Sequence, residues 1–386
     1  MYQVSTLHRL GYELLWLCRM LARREDILFG AEMHLERHMM REFERVTEGQ
    51  SNERKEIPSV RAEDFRIDTF NQLYKDKSPL VIRGLGKHTK ATREWSPDFF
   101  ADKYGETLVD VRDSPQERVG TQASYNEADF VPTPLRDYVH EMRHGQSQRY
   151  LGAMSELFRH HPELMDDLEI EQLNAHIGVK VIRPEIFMGT PRNHTPWHCA
   201  GIDNYFLQIN GEKEWHFINP AFTAGLYLKG SAMVFGAPGL FSNVIPGDDR
   251  LFPLFHKTPQ YRVTLYPGDF LYNPAYWWHE VENNGETIAV ALRVVAKGGF
   301  DKFVILDKFL LATSFLNPPM LMSNINMTLN HFMRSRRREK LYINDTGPRR
   351  TVPIKNRRGP TYVEARQKRL GLRPIATGEE RAQGDA

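Results

Sequence analysis

Two histidines in short aromatic segments are the residues of this sequence best suited to catalysis. His198 ends a Thr-Pro-Trp-His run, and His279 ends a Tyr-Trp-Trp-His run further along the chain. Imidazole nitrogens are common ligands of transition metals. A site with two histidines and one carboxylate on one face of Fe(II) leaves the other positions open for reactants. The pattern therefore predicts that His198 and His279 bind one metal ion.

The carboxylate expected in such a site is missing from its usual position. An acidic residue normally stands two positions after the first histidine, and this sequence has Ala200 there. Because alanine cannot bind a metal, either the ion is held differently or no ion is bound. Asp203 is the nearest carboxylate in the sequence. It lies past an expected turn, so it is a weak candidate for the third ligand.

Around the two histidines, the sequence resembles the JmjC and cupin-like family of Fe(II)/2-oxoglutarate oxygenases. The resemblance covers the segment from Pro58 to Phe300. It rests on two motif blocks, Thr195–Lys213 and Pro267–His279, and on the upstream segments Ser78–Leu85 and Tyr150–Leu164. It implies a mainly β fold with flanking helices, in which a double-stranded β-helix, or jelly roll, forms the core.

The same resemblance implies roles for individual residues. His198 and His279 would bind Fe(II). Thr195 and Lys213 would hold the tail of 2-oxoglutarate, and Asn204 would lie beside it. O2 would be the other cosubstrate. The departure from the family pattern two residues after the first histidine leaves the metal and the reaction open, but it does not affect the fold.

The alternation of side chains along a strand supports an anionic ligand without any family comparison. Asn204 shares one strand face with Gln208, and Lys213 shares another with Trp215. A barrel interior with such side chains is a poor core unless a polar ligand satisfies them. Arg293 near the end of the last strand is a candidate for binding a substrate carboxylate. A structural salt bridge is the alternative.

Charge counting separates the reactions open to this site. Fe(II) with two neutral imidazoles and a doubly charged 2-oxoglutarate is neutral, and the usual aspartate would add one negative charge. Ala200 removes that charge and opens a position that a bound chloride would fill. Some halogenases from another branch of the superfamily have Gly or Ala here, so halogenation of an unactivated C–H bond is favoured by analogy.

Two further hypotheses stay open for the reaction. The first is a dioxygenase that hydroxylates its substrate, with water or a remote carboxylate as the third iron ligand. The second is a catalytically inactive, cupin-like binding protein. The substrate is expected to be a small molecule or an amino-acid-type compound.

Helical and strand patterns divide the chain into regions. These are an N-terminal helical segment (1–57), a mixed α/β region (58–175), a jelly-roll core (176–300), C-terminal helices (301–340) and a basic, flexible tail (341–386). The core contains a long insertion (221–260) rich in Gly, Pro and Phe. Loops of this kind often cover active sites.

The composition restricts the compartment and the partners. Two cysteines in 386 residues argue against a disulfide scaffold and fit a reducing, cytoplasmic (intracellular) compartment. No apolar run reaches the ~20 residues that a membrane span needs. The segment 331–373 has fourteen Lys and Arg against three acidic residues. No aromatic interleaving supports base stacking there, so nucleic-acid binding is not expected.

The two terminal helical segments are apolar for surface helices. They are Leu10–Leu28 and Phe303–Met327. Large apolar surfaces are normally covered, so we expect these segments to pack on the barrel or to build a homodimer.

Overall fold

Two amphipathic helices open the described part of the chain. The computed structural model describes residues 4–22, 24–47, 54–113, 129–144, 149–178, 183–229, 239–245, 247–294, 301–309 and 360–372. α1 spans Thr6–Ala22 and α2 spans Phe29–Thr47. Both helices lie within the predicted N-terminal helical segment (1–57). The helix is interrupted before α2 at Leu28, whose φ of 63° lies in the left-handed region and cannot continue a right-handed helix.

The following segment alternates strands with short helices, as predicted. Its elements are β1 (Lys55–Glu56), β2 (Ser59–Arg61), α3 (Ile67–Leu73), β3 (Leu80–Arg83), α4 (Lys90–Glu94), α5 (Pro97–Tyr104) and β4 (Leu108–Asp113). Thr89 and Ser96 cap α4 and α5, because their hydroxyls accept hydrogen bonds from backbone N–H groups of the first turn.

A second mixed segment completes the helical layer. Its elements are β5 (Asp129–Pro134), α6 (Leu135–His144), β6 (Leu151–Met154), α7 (Glu156–His160), α8 (Glu163–Asp167), α9 (Ile170–Ile177) and β7 (Arg183–Gly189). The sequence pattern over 134–167 favours helices throughout, and this interpretation is wrong for β6, which pairs with β7. A short apolar run fits a strand or a helix equally well until a partner strand is known.

The barrel strands follow without long helices between them. The elements are β8 (His194–Ala200), β9 (Asp203–Ile218), β10 (Gly239–Phe241), α10 (Pro253–His256), β11 (Gln260–Leu265), β12 (Phe270–Asn273) and β13 (Trp278–Val294). A 3-10 segment, Pro220–Leu226, follows β9. α11 (Tyr362–Leu370) is the last described element.

The strands form the two sheets of a jelly roll, which share one long ribbon of β9 and β13. The ribbon is antiparallel and runs from the pair Asp203–Val294 to the pair Ile218–Trp278. At one end it lies in the sheet β2-β3-β12-β9-β13-β7-β6. At the other end it lies in the sheet β1-β11-β9-β13-β8-β10. The predicted fold is therefore confirmed.

The ribbon changes direction where it passes from one sheet to the other. Gly211 has φ 66°, and the β9–β13 register shifts between Asn284 and Ile288. A Cβ at Gly211 would lie 2.0 Å from the carbonyl oxygen of Glu286, so a glycine is required at this bend. Strands predicted separately at 203–210 and 213–218 are therefore one bent strand.

Three hydrophobic clusters occupy the two outer faces and the interior of the barrel. The first cluster packs the outer face of the first sheet, including Leu207 and Val290, against the helices of residues 67–177. The second packs Trp197 and Cys199 of β8 against α1, α2 and α11. The third lines the interior with Phe187, Phe206, Trp215, Phe217, Val263, Val281, Ala289 and Ala291, among others. Polar interior side chains are thus held within an apolar wall.

The prediction of a flexible tail over 341–386 is wrong for α11. Thr361 and Glu364 form a capping box at its start, and Tyr362 and Arg366 are each 1% exposed. The buried residues of this helix include a tyrosine and an arginine within a basic segment. The sequence therefore shows no apolar periodicity there that would predict a helix. The predictions for 310–340 lie outside the described residues. Of the described helices, none is long and apolar enough to cross a lipid bilayer.

One buried ion pair attaches α11 to α2, and a second joins α1 to α2. The Arg366 guanidinium donates to Glu36 of α2 at 2.6 Å and to the Leu251 carbonyl at 2.6 Å. Arg19 of α1 forms a bidentate pair with Glu32, with both bonds at 2.9 Å. Burial raises the pKa of Glu36, so this carboxylate depends on its partner to remain charged.

Arg366→Met should lower the free energy of unfolding by about 3 kcal/mol, because it leaves the Glu36 carboxylate buried and unpaired. Denaturant titration followed by tryptophan fluorescence measures the change. The matched control is Arg369→Met on the exposed face of the same helix, which should change the unfolding free energy by less than about 0.5 kcal/mol. Equal effects of the two substitutions would contradict the role of the buried pair.

Candidate functional site

The two predicted metal-binding histidines face each other inside the barrel. His198 on β8 and His279 on β13 are direct cross-strand partners, and their ring centroids lie 4.2 Å apart. Directly paired residues of neighbouring strands project from the same sheet face. Phe217, the β9 partner of His279, belongs to the interior cluster. Both imidazoles therefore point into the barrel.

Each histidine ring is held by the backbone through Nδ1. Nδ1 of His198 lies 2.9 Å from the carbonyl oxygen of Pro196, and Nδ1 of His279 lies 2.9 Å from that of Trp277. A carbonyl oxygen only accepts, so the proton of each neutral ring is on Nδ1, and Nε2 is the ring nitrogen that could bind a metal. Burial lowers the pKa of His198 to about 4 and that of His279 well below its usual value. Both rings are therefore neutral near neutral pH, as metal ligands must be.

Ala200 occupies the strand position of the missing carboxylate. Ala200 follows His198 on the same strand face by alternation and pairs with Gly239 of β10. The weak candidate Asp203 is on the face opposite Asn204, and its carboxylate accepts a hydrogen bond from the Ala275 backbone at 3.0 Å. Asp203 is therefore excluded as the remote ligand. The described residues contain no cluster of three His, Cys, Asp or Glu placed to hold a metal.

Lys213 is a buried cation without a carboxylate partner among the described residues. Its side chain is on the interior face with Trp215, is 1% exposed, and donates to the Asn283 amide oxygen. Burial lowers the pKa of Lys213 to about 7. Trp215 stacks on His279 with centroids 5.3 Å apart, and its buried Nε1 has no described partner. Two donors near the histidine pair are thus available for an anionic ligand.

A bulge brings Thr195 to the interior face. Simple alternation would place Thr195 and His198 on opposite faces, because they are three residues apart. The register of β8 against β13 shifts between them, so that Thr195 pairs with Val281. Val281 and its β9 partner Trp215 both line the interior. Thr195 therefore lies on the same face as Lys213, as the predicted role requires.

Arg293 forms a structural salt bridge, which was the alternative to its binding a substrate carboxylate. Its Nε donates to the Glu185 carboxylate at 3.0 Å. Arg293 is the β13 partner of Asn204, and the Asn204 amide oxygen is buried without a described partner. Glu185 was missed by sequence reasoning. Glu185 lies two residues before Phe187 on β7. Because side chains alternate along a strand, this spacing predicts that Glu185 faces the interior, as Phe187 does.

Two other histidines near the barrel, and Cys199, lie outside the pair. His194 pairs with Glu282 on the opposite face of β13. His216 pairs across the ribbon with Glu280 and contacts Arg54. Cys199 is buried in the outer cluster that packs on the N-terminal helices.

The residues of the interior fit Fe(II) and 2-oxoglutarate. Two neutral imidazoles present Nε2 lone pairs, which suit Fe(II). Lys213 and the unpartnered Trp215 Nε1 are donors suited to carboxylates. The assignment of His198, His279, Thr195, Asn204 and Lys213 to these groups stays a prediction.

The fold and the interior histidine pair define a cupin-type barrel. Residues 67–292 match the cupin-like domain family. This match covers more than half of the chain, and the chain belongs to that family. Jumonji C domain-containing protein 5 of Drosophila melanogaster is 25% identical over 206 residues, 51% of this chain and 45% of that protein.

Several curated proteins are similar to parts of this chain. HSPB1-associated protein 1 of Homo sapiens is 31% identical over 156 residues, which are 40% of this chain and 31% of that protein. Lysine-specific demethylase JMJ21 of Arabidopsis thaliana is 25% identical over 262 residues, 64% of this chain and 26% of that protein. tRNA wybutosine-synthesizing protein 5 of Mus musculus is 26% identical over 249 residues, 60% of this chain and 75% of that protein. The chain thus spans less than a third of the length of the first two relatives.

His279→Ala should abolish Fe(II) binding at micromolar metal, because a site with only two imidazole ligands already has fewer than usual. Anaerobic equilibrium dialysis with Fe(II) measures the stoichiometry. His194→Ala removes an imidazole from the outer sheet face and should leave binding unchanged. Unchanged iron affinity in the His279 variant would show that this pair is not the metal site.

Lys213→Met should weaken 2-oxoglutarate binding by about ten- to a hundred-fold, since a charge-assisted hydrogen bond contributes about 1.5–3 kcal/mol. The lowered pKa, about 7, adds a pH dependence. A bound carboxylate favours the charged amine, so binding should take up protons above this pH and weaken as pH rises. Calorimetry in buffers of different ionisation enthalpy measures both effects. Equal affinity and equal proton uptake in wild type and variant would exclude Lys213 as the anchor.

Proposed function

We propose that this protein is an Fe(II)/2-oxoglutarate-dependent enzyme that functionalises an unactivated C–H bond. Membership of the cupin-like family supports the superfamily, and the interior chemistry supports the cofactors. The observation that carries the proposal is the buried Lys213 near two neutral, backbone-anchored imidazoles. A buried cation and unpartnered donors are costly in a folded protein unless a ligand compensates them.

Polar residues of the barrel would bind the metal and the cosubstrate, and apolar residues would exclude water. His198 and His279 would hold the metal through Nε2. Lys213 and Thr195 would hold the cosubstrate, with Asn204 beside it. When bound, Fe(II) and 2-oxoglutarate would supply the electrons that activate O2, the oxidant, for attack on a C–H bond. The apolar interior wall would exclude water, which strengthens electrostatic interactions within the site.

The open position beside Ala200 favours halogenation as the reaction. The metal complex with two neutral imidazoles and a doubly charged cosubstrate needs no protein carboxylate for neutrality, and a chloride would fill the open position. The Arg293 guanidinium contributes, after burial, to the lowered pKa of both histidines. Its field therefore reaches the pair and favours an anion there. Arg293 would also help to orient a small or amino-acid-type substrate.

Hydroxylation is the second candidate reaction. Asp203 accepts its hydrogen bond on the outer sheet face, so water rather than this carboxylate would be the third ligand. The names of two relatives refer to lysine demethylation and to tRNA wybutosine synthesis; those activities belong to those proteins. A binding protein without catalysis is the third candidate; a bound anion would account for the buried Lys213, but not for the pair of neutral interior imidazoles.

Chloride should tighten 2-oxoglutarate binding and shift the charge-transfer band of the anaerobic iron complex, because two ligands of one metal are energetically coupled and the coupling is reciprocal. Titration of wild-type protein with iron, 2-oxoglutarate and chloride, followed by absorption, measures this. Ala200→Asp should remove the chloride effect, since its carboxylate takes the same position.

The competing reactions predict different spectra. With water as third ligand, chloride should have no effect and Ala200→Asp should strengthen iron binding. In a binding protein, neither iron nor 2-oxoglutarate should give the band. If neither the charge-transfer band nor the turnover rate of the wild type changes with chloride or bromide, halogenation is eliminated and hydroxylation remains.

A further inference from the structure

Asn273 lies behind His279 and has no role in the site described so far. It is the last residue of β12, is 3% exposed, and is the direct cross-strand partner of Asn204. Its amide nitrogen lies 3.2 Å from Nδ1 of His279. Its amide oxygen is buried and has no described partner. A buried side-chain amide with one end on a metal-site imidazole and the other end unsatisfied calls for a physical explanation.

The hydrogen bond of His279 to the backbone decides which end of the amide suits this position. The carbonyl oxygen of Trp277 at 2.9 Å requires a proton on Nδ1. An amide N–H has nothing to donate to a protonated nitrogen, whereas an amide oxygen accepts from it. A half-turn of the Asn273 side chain places Oδ1 against Nδ1–H. This arrangement satisfies the orphaned oxygen and leaves the Nε2 lone pair directed into the barrel.

We propose that Asn273 is a positioning residue that, together with the Trp277 carbonyl, fixes the tautomer and the ring orientation of His279. The proposal rests on the proposed function for its consequence, since a metal held by only two imidazoles depends strongly on how each ring is aimed. Groups that accept from the distal nitrogen of a metal-binding histidine fix its tautomer and raise its basicity, and their loss typically costs about 10- to 100-fold in metal affinity. His198 has its backbone carbonyl for this purpose, and His279 has the carbonyl and Asn273.

The test compares three variants in the full-length protein. Asn273→Ala removes the acceptor. Asn273→Asp supplies a stronger acceptor of the same size. Asn243→Ala is the control, because it removes another amide whose nitrogen is buried without a described partner, outside the interior cluster. Two quantities are measured for each: the 15N shifts of the His279 ring in metal-free protein, and the Co(II) dissociation constant from absorption titration. Thermal unfolding is recorded alongside.

In wild type, Asn273→Asp and Asn243→Ala, we expect the metal-free His279 ring to carry its proton on Nδ1. In Asn273→Ala one of the two acceptors for the Nδ1 proton is lost and the Trp277 carbonyl remains. We therefore expect a measurable minor population of the Nε2–H tautomer beside the Nδ1–H form, and Co(II) binding weaker by about 10- to 100-fold. Asn273→Asp should bind Co(II) at least as tightly as wild type. A purely structural role would lower the unfolding temperature without changing the tautomer, and that result would overturn the proposal.

The tautomer measurement separates this proposal from the proposed function. If wild-type protein binds no Co(II), the proposed function fails, and the ring shifts of metal-free protein still decide the role of Asn273. If wild type binds Co(II) and Asn273→Ala has the same tautomer and affinity, the positioning role is wrong while the metal site stands.

Discussion

The bent ribbon of β9 and β13 is the constraint on which the rest of the structure depends. It pairs without interruption at both ends and turns at Gly211 and at the register shift after Asn284. Because one ribbon belongs to both sheets, it places His279 in one sheet and Arg293 in the other. The barrel closes around this corner. A side chain at position 211 would clash with the carbonyl oxygen of Glu286 and disrupt the bend of the ribbon.

Desolvation organises the chemistry inside the barrel. It keeps the histidine pair neutral, lowers the pKa of Lys213 to about 7 and makes each unpartnered polar atom costly. In an ordinary core, selection for stability would replace these groups by apolar residues of similar volume. Their presence within a wall of aromatic and small side chains is therefore an argument for ligands that complete them.

Because position 200 has no carboxylate, the position of a bound metal would depend on the orientation of the two histidine rings. Each ring is held at Nδ1 by the carbonyl two residues earlier, a contact that follows from the strand backbone itself. The pair Arg293–Glu185 brings one charge of each sign close to the site without adding a net charge. The electrostatics of the site are thus set by its buried cation, its ion pair and whichever anions bind.

The resemblance to the JmjC and cupin-like family predicted the jelly roll and the two histidines. Strand alternation, which is a local property of the backbone, predicted that Lys213 and Trp215 share the interior face. The tertiary structure decided what alternation cannot. Thr195 faces inward only through a bulge, which depends on pairing with β13. The partner of Arg293 depends on β7 lying beside β13, and the helical fold of 362–370 depends on burying its arginine against α2. Contacts between residues distant in sequence are set by packing, and no local pattern encodes them.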